Sequence, residues 1–326
     1  MNQWTPRKSG RQKKLRLWII RGVCIAVLIF CVWQLVAYFA SMISSNRQAE
    51  EMREIYHADA TQAQETASTP EAAAAPEATA VPTEEPENQE GQEEQEEQTA
   101  AVPGTLSSTA GYPDNPNRMT GSRFPALIAK NSDIVAWLTI EDVVDQAVVL
   151  RNNTYYLTHD YLGHTNTNGA IFLDENASLY YRPWVFLLFG HNMKTGAMFG
   201  NLYRYDGIDY YRQHAFVQFD TLFEEGKFVI FSVGTIDLEN NGYNNYVDVY
   251  GLYSTTVSVR EEVIAQLQRA STLDIPIDVQ ADDQLLLLIT CNGHDNERYV
   301  VAARRIRSDE SEKDVQQQVS FTGLKH

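Results

Sequence analysis

The sequence predicts a mostly β protein whose folded part is a barrel rather than a doubly wound sheet. Two observations carry this. Between about residues 112 and 307 short apolar runs recur as strands, and only one segment there has a clear helical period. A doubly wound sheet would instead alternate strands with long helices. Ahead of that domain lies an apolar stretch of membrane-spanning length, followed by an acidic segment nearly free of large apolar residues.

The elements follow in order. Residues 1–16 form a basic tail and residues 17–40 an apolar span; residues 1–40 carry seven basic side chains and no acidic one. From Gly22 to Ala40 the chain reads GVCIAVLIFCVWQLVAYFA, with Gln34 the one strongly polar side chain. Nineteen helical residues cover roughly 28 Å, close to the hydrocarbon thickness of a bilayer. Leu17 to Ile20 can extend the span, with Arg21 snorkelling to the interface. The basic flank comes first, so the positive-inside rule predicts a cytoplasmic N-terminus and an extracellular remainder. A cleaved signal peptide is the rival reading, but its apolar region would be shorter, and AYFASM is a mediocre cleavage site.

Residues 41–111 are rich in Glu, Ala, Pro, Gln and Thr, a composition that cannot bury a core and predicts a disordered linker. A short helix from Glu50 to Tyr56 is the exception. A flexible chain of about 70 residues has an end-to-end distance of roughly 45–50 Å, so the segment reads as a spacer. An acidic interaction tail is the alternative.

In the folded domain, 112–307, a short helix is expected at 124–131 and strands at 134–140, 146–150, 169–174, 185–190, 215–220, 227–236, 284–290 and 298–306. SVREEVIAQLQRAS (258–271) is the clearest helix: Ser258 can cap it, Glu261 sits at the capping-box position, and Val263, Ile264 and Leu267 share a face. The tail 308–326 is polar and expected to fray. With a total charge of −17, of which the linker and the domain each carry a negative share, the chain has no footprint for nucleic acid.

The chemistry centres on LLLLITCNGHDNERYVV (285–301). Cys24 and Cys31 read as small apolar residues in the span, leaving Cys291 alone outside it, unable to form an intramolecular disulfide. A thiol at the tip of a buried strand is a suitable nucleophile if a cation or base stands near it. His191 ends a second apolar strand in VFLLFGHNMKTGAMFGNL, a position like that of Cys291. Arg298 opens the strand after the cysteine, where it could meet a developing oxyanion. Each has a bland counterpart: a buried thiol as a small hydrophobe, a loop histidine, a surface ion pair. CNGH offers Cys291 and His294 as metal ligands, but a second ligand pair is missing, so no metal is assigned. His159, His164 and His214 sit in polar, loop-like stretches.

LLLITC followed by ERYVVAARR resembles the cysteine and arginine strands of the sortases, the membrane-anchored cysteine transpeptidases of Gram-positive bacteria. FGHNMKTGAMFGNLYRY resembles the histidine segment of class B sortases, and residues 131–175 resemble their early strands. The helix at 258–271 sits where class B enzymes carry an extra helix between the sixth and seventh strands. The resemblance covers about residues 120–306. It implies a sortase-like closed β-barrel of about eight strands with a few peripheral helices. It further implies Cys291 as nucleophile, His191 as acid/base and Arg298 as oxyanion and substrate stabiliser, with Thr290 and Asn192 as substrate contacts. No cofactor is called for. The implied partners are secreted proteins with a C-terminal sorting motif, and an amine from a peptidoglycan precursor or a pilin lysine. The implied place is the cell membrane, catalytic domain outside. The loop from Cys291 to Arg298 is shorter than class B enzymes usually have, which puts the sorting-signal preference in doubt. Asp295 falls near a loop acid of the family and is given no catalytic part. A membrane-tethered cysteine hydrolase and a non-catalytic surface-binding module are the rival functions.

Overall fold

The computed structural model describes residues 10–67, 120–179, 182–240, 242, 245–291 and 296–325. The chain divides into two units, residues up to Glu50 and residues from Glu51 onward. A helix, α1, runs Gly10–Ala67. Within the first unit its window Trp18–Val36 is long and apolar enough to cross a membrane and has no buried residue.

In the second unit the remainder of α1 departs from expectation. The segment from 41 was expected to be unstructured apart from a short helix, yet the helix continues to Ala67. Met52 and Tyr56, four apart on one helical face, are buried in the core of the barrel domain, 1% and 2% exposed. Two large side chains on one face thus anchor a segment whose other residues are mostly polar. The rest of the predicted linker, from residue 68, lies outside the described residues.

After α2 (Pro125–Lys130) come β1 (Ile134–Ile140), β2 (Val144–Val149), β3 (Ile171–Leu173), β4 (Val185–Phe189), α3 (Ile208–Gln213), β5 (Phe216–Thr221) and β6 (Lys227–Asp237). Then follow α4 (Val257–Ala270), the two-residue β7 (Leu273–Asp274), β8 (Leu285–Cys291), β9 (Glu297–Arg305), α5 (Glu312–Ser320) and β10 (Gly323–Leu324). Eight strands close a barrel in the order β1-β2-β3-β4-β8-β9-β6-β5. Two of its pairings, β2 with β3 and β4 with β8, are parallel; the rest are antiparallel. Trp137, Phe219, Phe228 and Phe231 are almost fully buried in its core. Strand β8 is buried from Leu285 to Thr290 without alternation, which is why its sequence is a continuous apolar run.

Two local expectations need correction. Helix α4 starts at Val257 with Thr256 at the N-cap and no side-chain cap, so Ser258 and Glu261 lie inside the helix. Its apolar face is as expected, with Val263, Ile264 and Leu267 buried. The tail 308–326 does not fray. Ser311 caps α5 by accepting from the Asp314 amide, Val315 and Val319 are buried one turn apart, and β10 pairs with β7. An i,i+4 valine pair after a good cap is enough to anchor nine otherwise polar residues.

Candidate active site

Register brings the three sequence-selected residues together. In the parallel pair β4–β8, Phe189 faces Ile289, so the chain leaving β4 as Gly190-His191 runs beside Thr290-Cys291. In the antiparallel pair β8–β9, Cys291 stands opposite Arg298. Cys291, His191 and Arg298 line one cavity of about 300 Å³. Cys291 is exposed at the end of β8 whereas Thr290, one residue earlier, is buried. The bland reading of the thiol as a buried small hydrophobe therefore does not describe this residue.

The loop holding His191 is built to be stiff. Its carbonyl accepts from the amides of Met193 and Phe199, each at 3.1 Å. Gly190 lets Phe199 pack beneath the turn: a Cβ at Gly190 would sit 2.8 Å from that ring. The ring of His191 is fixed from the other side, with Nε2 2.8 Å from the Leu157 carbonyl. A carbonyl can only accept, so Nε2 carries the proton and Nδ1 is the nitrogen left over in the neutral ring. Gly169 makes room for this arrangement. It has φ +62, and a Cβ there would meet the Tyr156 carbonyl at 2.5 Å and His191 Cδ2 at 3.0 Å.

Thr290 and Asn192 staple the two strands rather than standing free. Thr290 Oγ1 donates to the Gly190 carbonyl at 2.7 Å. Asn192 Nδ2 donates to the Cys291 carbonyl at 3.0 Å. Arg298 Nη1 donates to the carbonyl of Glu297 at 2.8 Å, which ties the guanidinium to its own strand.

Sequence reasoning missed the rest of the cavity wall, including Asn153, Leu157 and Phe172. Asn153 lies just before, and Leu157 ends, a single turn of 3-10 helix, Tyr155–Leu157, whose irregular run has no period to read. Of the other described histidines, His57 meets Asp145, His159 stacks on Tyr155, His164 stands near Asp160 and His214 packs beside Tyr210. His294 and Asp295 lie outside the described residues.

The arrangement is a thiol, an imidazole and a guanidinium converging on one largely apolar concavity. A family model described as "Sortase domain" matches residues 138–306. The chain is similar to Sortase B of Listeria monocytogenes, 26% identical over 177 residues that make up 50% of this chain and 64% of that protein. Less than two thirds of that relative's length is therefore spanned. It is similar in structure to sortase B from Bacillus anthracis, with a TM-score of 0.51 and 27% identity over 59% of this chain and 86% of that one. A Staphylococcus aureus sortase B solved as a substrate complex has the same fold, with a TM-score of 0.51 at 22% identity over 59% of this chain and 88% of that one. The chain belongs to the sortase family, and within it to class B.

Proposed function

We propose that the protein is a membrane-anchored cysteine transpeptidase that cleaves a C-terminal sorting signal after a threonine and passes the acyl group to an amine. The observation that carries this is the meeting of Cys291, His191 and Arg298 around one cavity, brought there by two strand registers.

The steps follow from the positions. The Cys291 thiolate attacks the scissile carbonyl, forming a carbon–sulfur bond and a tetrahedral oxyanion. Arg298, directly across from Cys291, stabilises that charge with fixed donors. Collapse breaks the peptide bond, and His191 gives a proton to the leaving amine. The thioester is then attacked by an acceptor amine, whose proton His191 takes up as the thiolate is expelled. Thr290 and Asn192 act as positioning residues, since both spend their side-chain donors on backbone carbonyls of the two strand ends. The acceptor amine comes from a peptidoglycan precursor or a pilin lysine, and the acyl donor is a secreted protein with a C-terminal sorting motif. The apolar window Trp18–Val36 serves as the anchor, with the catalytic domain on the outer face.

The test uses the compact unit from Glu51 onward with quenched fluorescent peptides carrying LPxTG-, NPxTN- and SPxTG-like motifs, with and without an added amine. Cleavage joined to amine capture, lost in Cys291→Ala, establishes the transpeptidase and its motif class. Cleavage without capture identifies a hydrolase. No cleavage, with Cys291 unreactive toward a thiol-directed probe, leaves a binding module and contradicts the assignment.

A further inference from the structure

The acidic stretch of the sequence reads as a spacer between membrane and barrel, but the contacts of Glu51–His57 place the spacer elsewhere in the chain's logic. Tyr56 lies flat on the indole of Trp137 in β1, with ring centroids 4.3 Å apart and planes 5° from parallel. Its hydroxyl donates to Asp220 Oδ2 of β5 and accepts from Arg123 Nη1 at 3.0 Å. Asp220 is itself buried, 2% exposed, so the barrel offers this tyrosine a sequestered carboxylate rather than a chance surface contact. Arg53 Nε reaches Asp145 Oδ2 of β2 at 2.9 Å, and the same carboxylate accepts from Trp137 Nε1 at 2.7 Å. At the rim Lys130 Nζ meets Glu51 Oε1 at 2.6 Å. Polar and apolar contacts therefore agree on one docked register across β5, β1 and β2.

We propose that Glu51–His57 is a strap by which the barrel is held to the membrane-proximal helix, without need of a covalent path through the acidic stretch. Glu51 follows Val36, the end of the apolar window, by fifteen positions. The barrel side of the chain resumes by Gly121, whose amide donates to the Leu222 carbonyl at 2.8 Å. The segments that flank the acidic stretch, Glu51–His57 and the chain from Gly121, thus belong to one folded unit. The strap occupies the β5-β1-β2 arc, while the strands that line the cavity are β3, β4, β8 and β9 on the other arc of the closed barrel. Docking therefore leaves the cavity uncovered. The anchoring role of the strap rests on reading Trp18–Val36 as a membrane span.

The experiment uses the full chain in membrane vesicles with a site-specific protease sequence inserted near Gln92. Before cutting, the chain sediments with the vesicles; if it does not, the anchor reading fails. The strap is then read separately, by whether the two fragments of the cut chain co-elute on size exclusion. After cutting, the strap predicts that the barrel fragment still sediments although no covalent link joins it to the span. In the Met52→Ala/Tyr56→Ala chain the cut barrel should appear in the supernatant at least about tenfold more than in wild type, because two buried side chains are lost. Those substitutions leave the released barrel's own sequence unchanged. Release of the wild-type barrel on cutting overturns the proposal. So does retention in the double variant, since another surface would then be holding it.

Discussion

His191 is held at two points, its backbone by the Met193 and Phe199 amides and its ring by the Leu157 carbonyl. Catalysis by proton transfer depends on such fixing, because a misplaced ring loses both reach and tautomer. Gly169→Ala tests this by pressing a methyl group against the ring. The substitution puts a side chain at φ +62 against two close atoms. It should cost about 1–3 kcal/mol of stability by denaturant titration and lower kcat for peptide cleavage well beyond that loss of folded enzyme. Replacing the charge-bearing residue is more direct. Arg298→Ala should lower kcat about 10²–10³-fold, and Arg298→Lys should restore little of it, because an ammonium cannot reproduce the fork of donors. The placing of Cys291, His191 and Arg298 at strand ends was legible in the sequence, because apolar runs mark where a rigid backbone meets solvent. Gly169 and Leu157 were not. One acts through the side chain it lacks and the other through a carbonyl, neither of which leaves a compositional signal.

Among the elements, the two strand ends that carry Cys291 and His191 are joined by side-chain hydrogen bonds that the ladder alone does not supply. Thr290→Val keeps the shape but removes the donor to the Gly190 carbonyl. It should cost about 1 kcal/mol and raise KM less than it lowers kcat if Thr290 positions rather than binds. At the far end of β9, Arg304 is fully buried and bidentate to Glu310, at 2.6 and 2.7 Å. Burial alone would raise the Glu310 carboxyl, but the Arg304 hydrogen bond, the Arg307 amide and both guanidinium charges hold it below the ordinary 4.5. A depressed carboxylate stabilises the fold fully above its unfolded value near 4.5 and loses that contribution as pH falls through the folded value. Glu310→Gln should therefore cost about 2–3 kcal/mol at pH 7 by urea denaturation, and the gap from wild type should narrow below about pH 4. The strands themselves were readable from composition, as eight runs. The α4 cap was misplaced because Ser258 and Glu261 match a capping box in spacing while the chain turns two residues earlier. The tail was misread because, among its described residues, Val315 and Val319 are the only apolar ones buried in the core.

For the whole molecule, the barrel order is what no local signal contains. The parallel β4–β8 pairing joins segments a hundred residues apart, and that pairing puts His191 beside Cys291. Similar positions at the ends of two apolar strands hinted at it; only closure of the barrel decides it. A helix at Glu50–Tyr56 was legible, but its docking through Met52 and Tyr56 was hidden, since two anchors in a long polar stretch do not move its average composition. The central claim is that Cys291 carries the acyl group between donor and amine. Intact-protein mass spectrometry of the unit from Glu51, quenched in acid after mixing with a cleavable sorting peptide and no amine, tests it most directly. The account predicts a mass increase equal to the peptide's N-terminal fragment, mapped to Cys291, absent in Cys291→Ala and discharged by added amine into an amide-linked product. Peptide cleavage with no adduct on Cys291, or with full rate in Cys291→Ala, would contradict it.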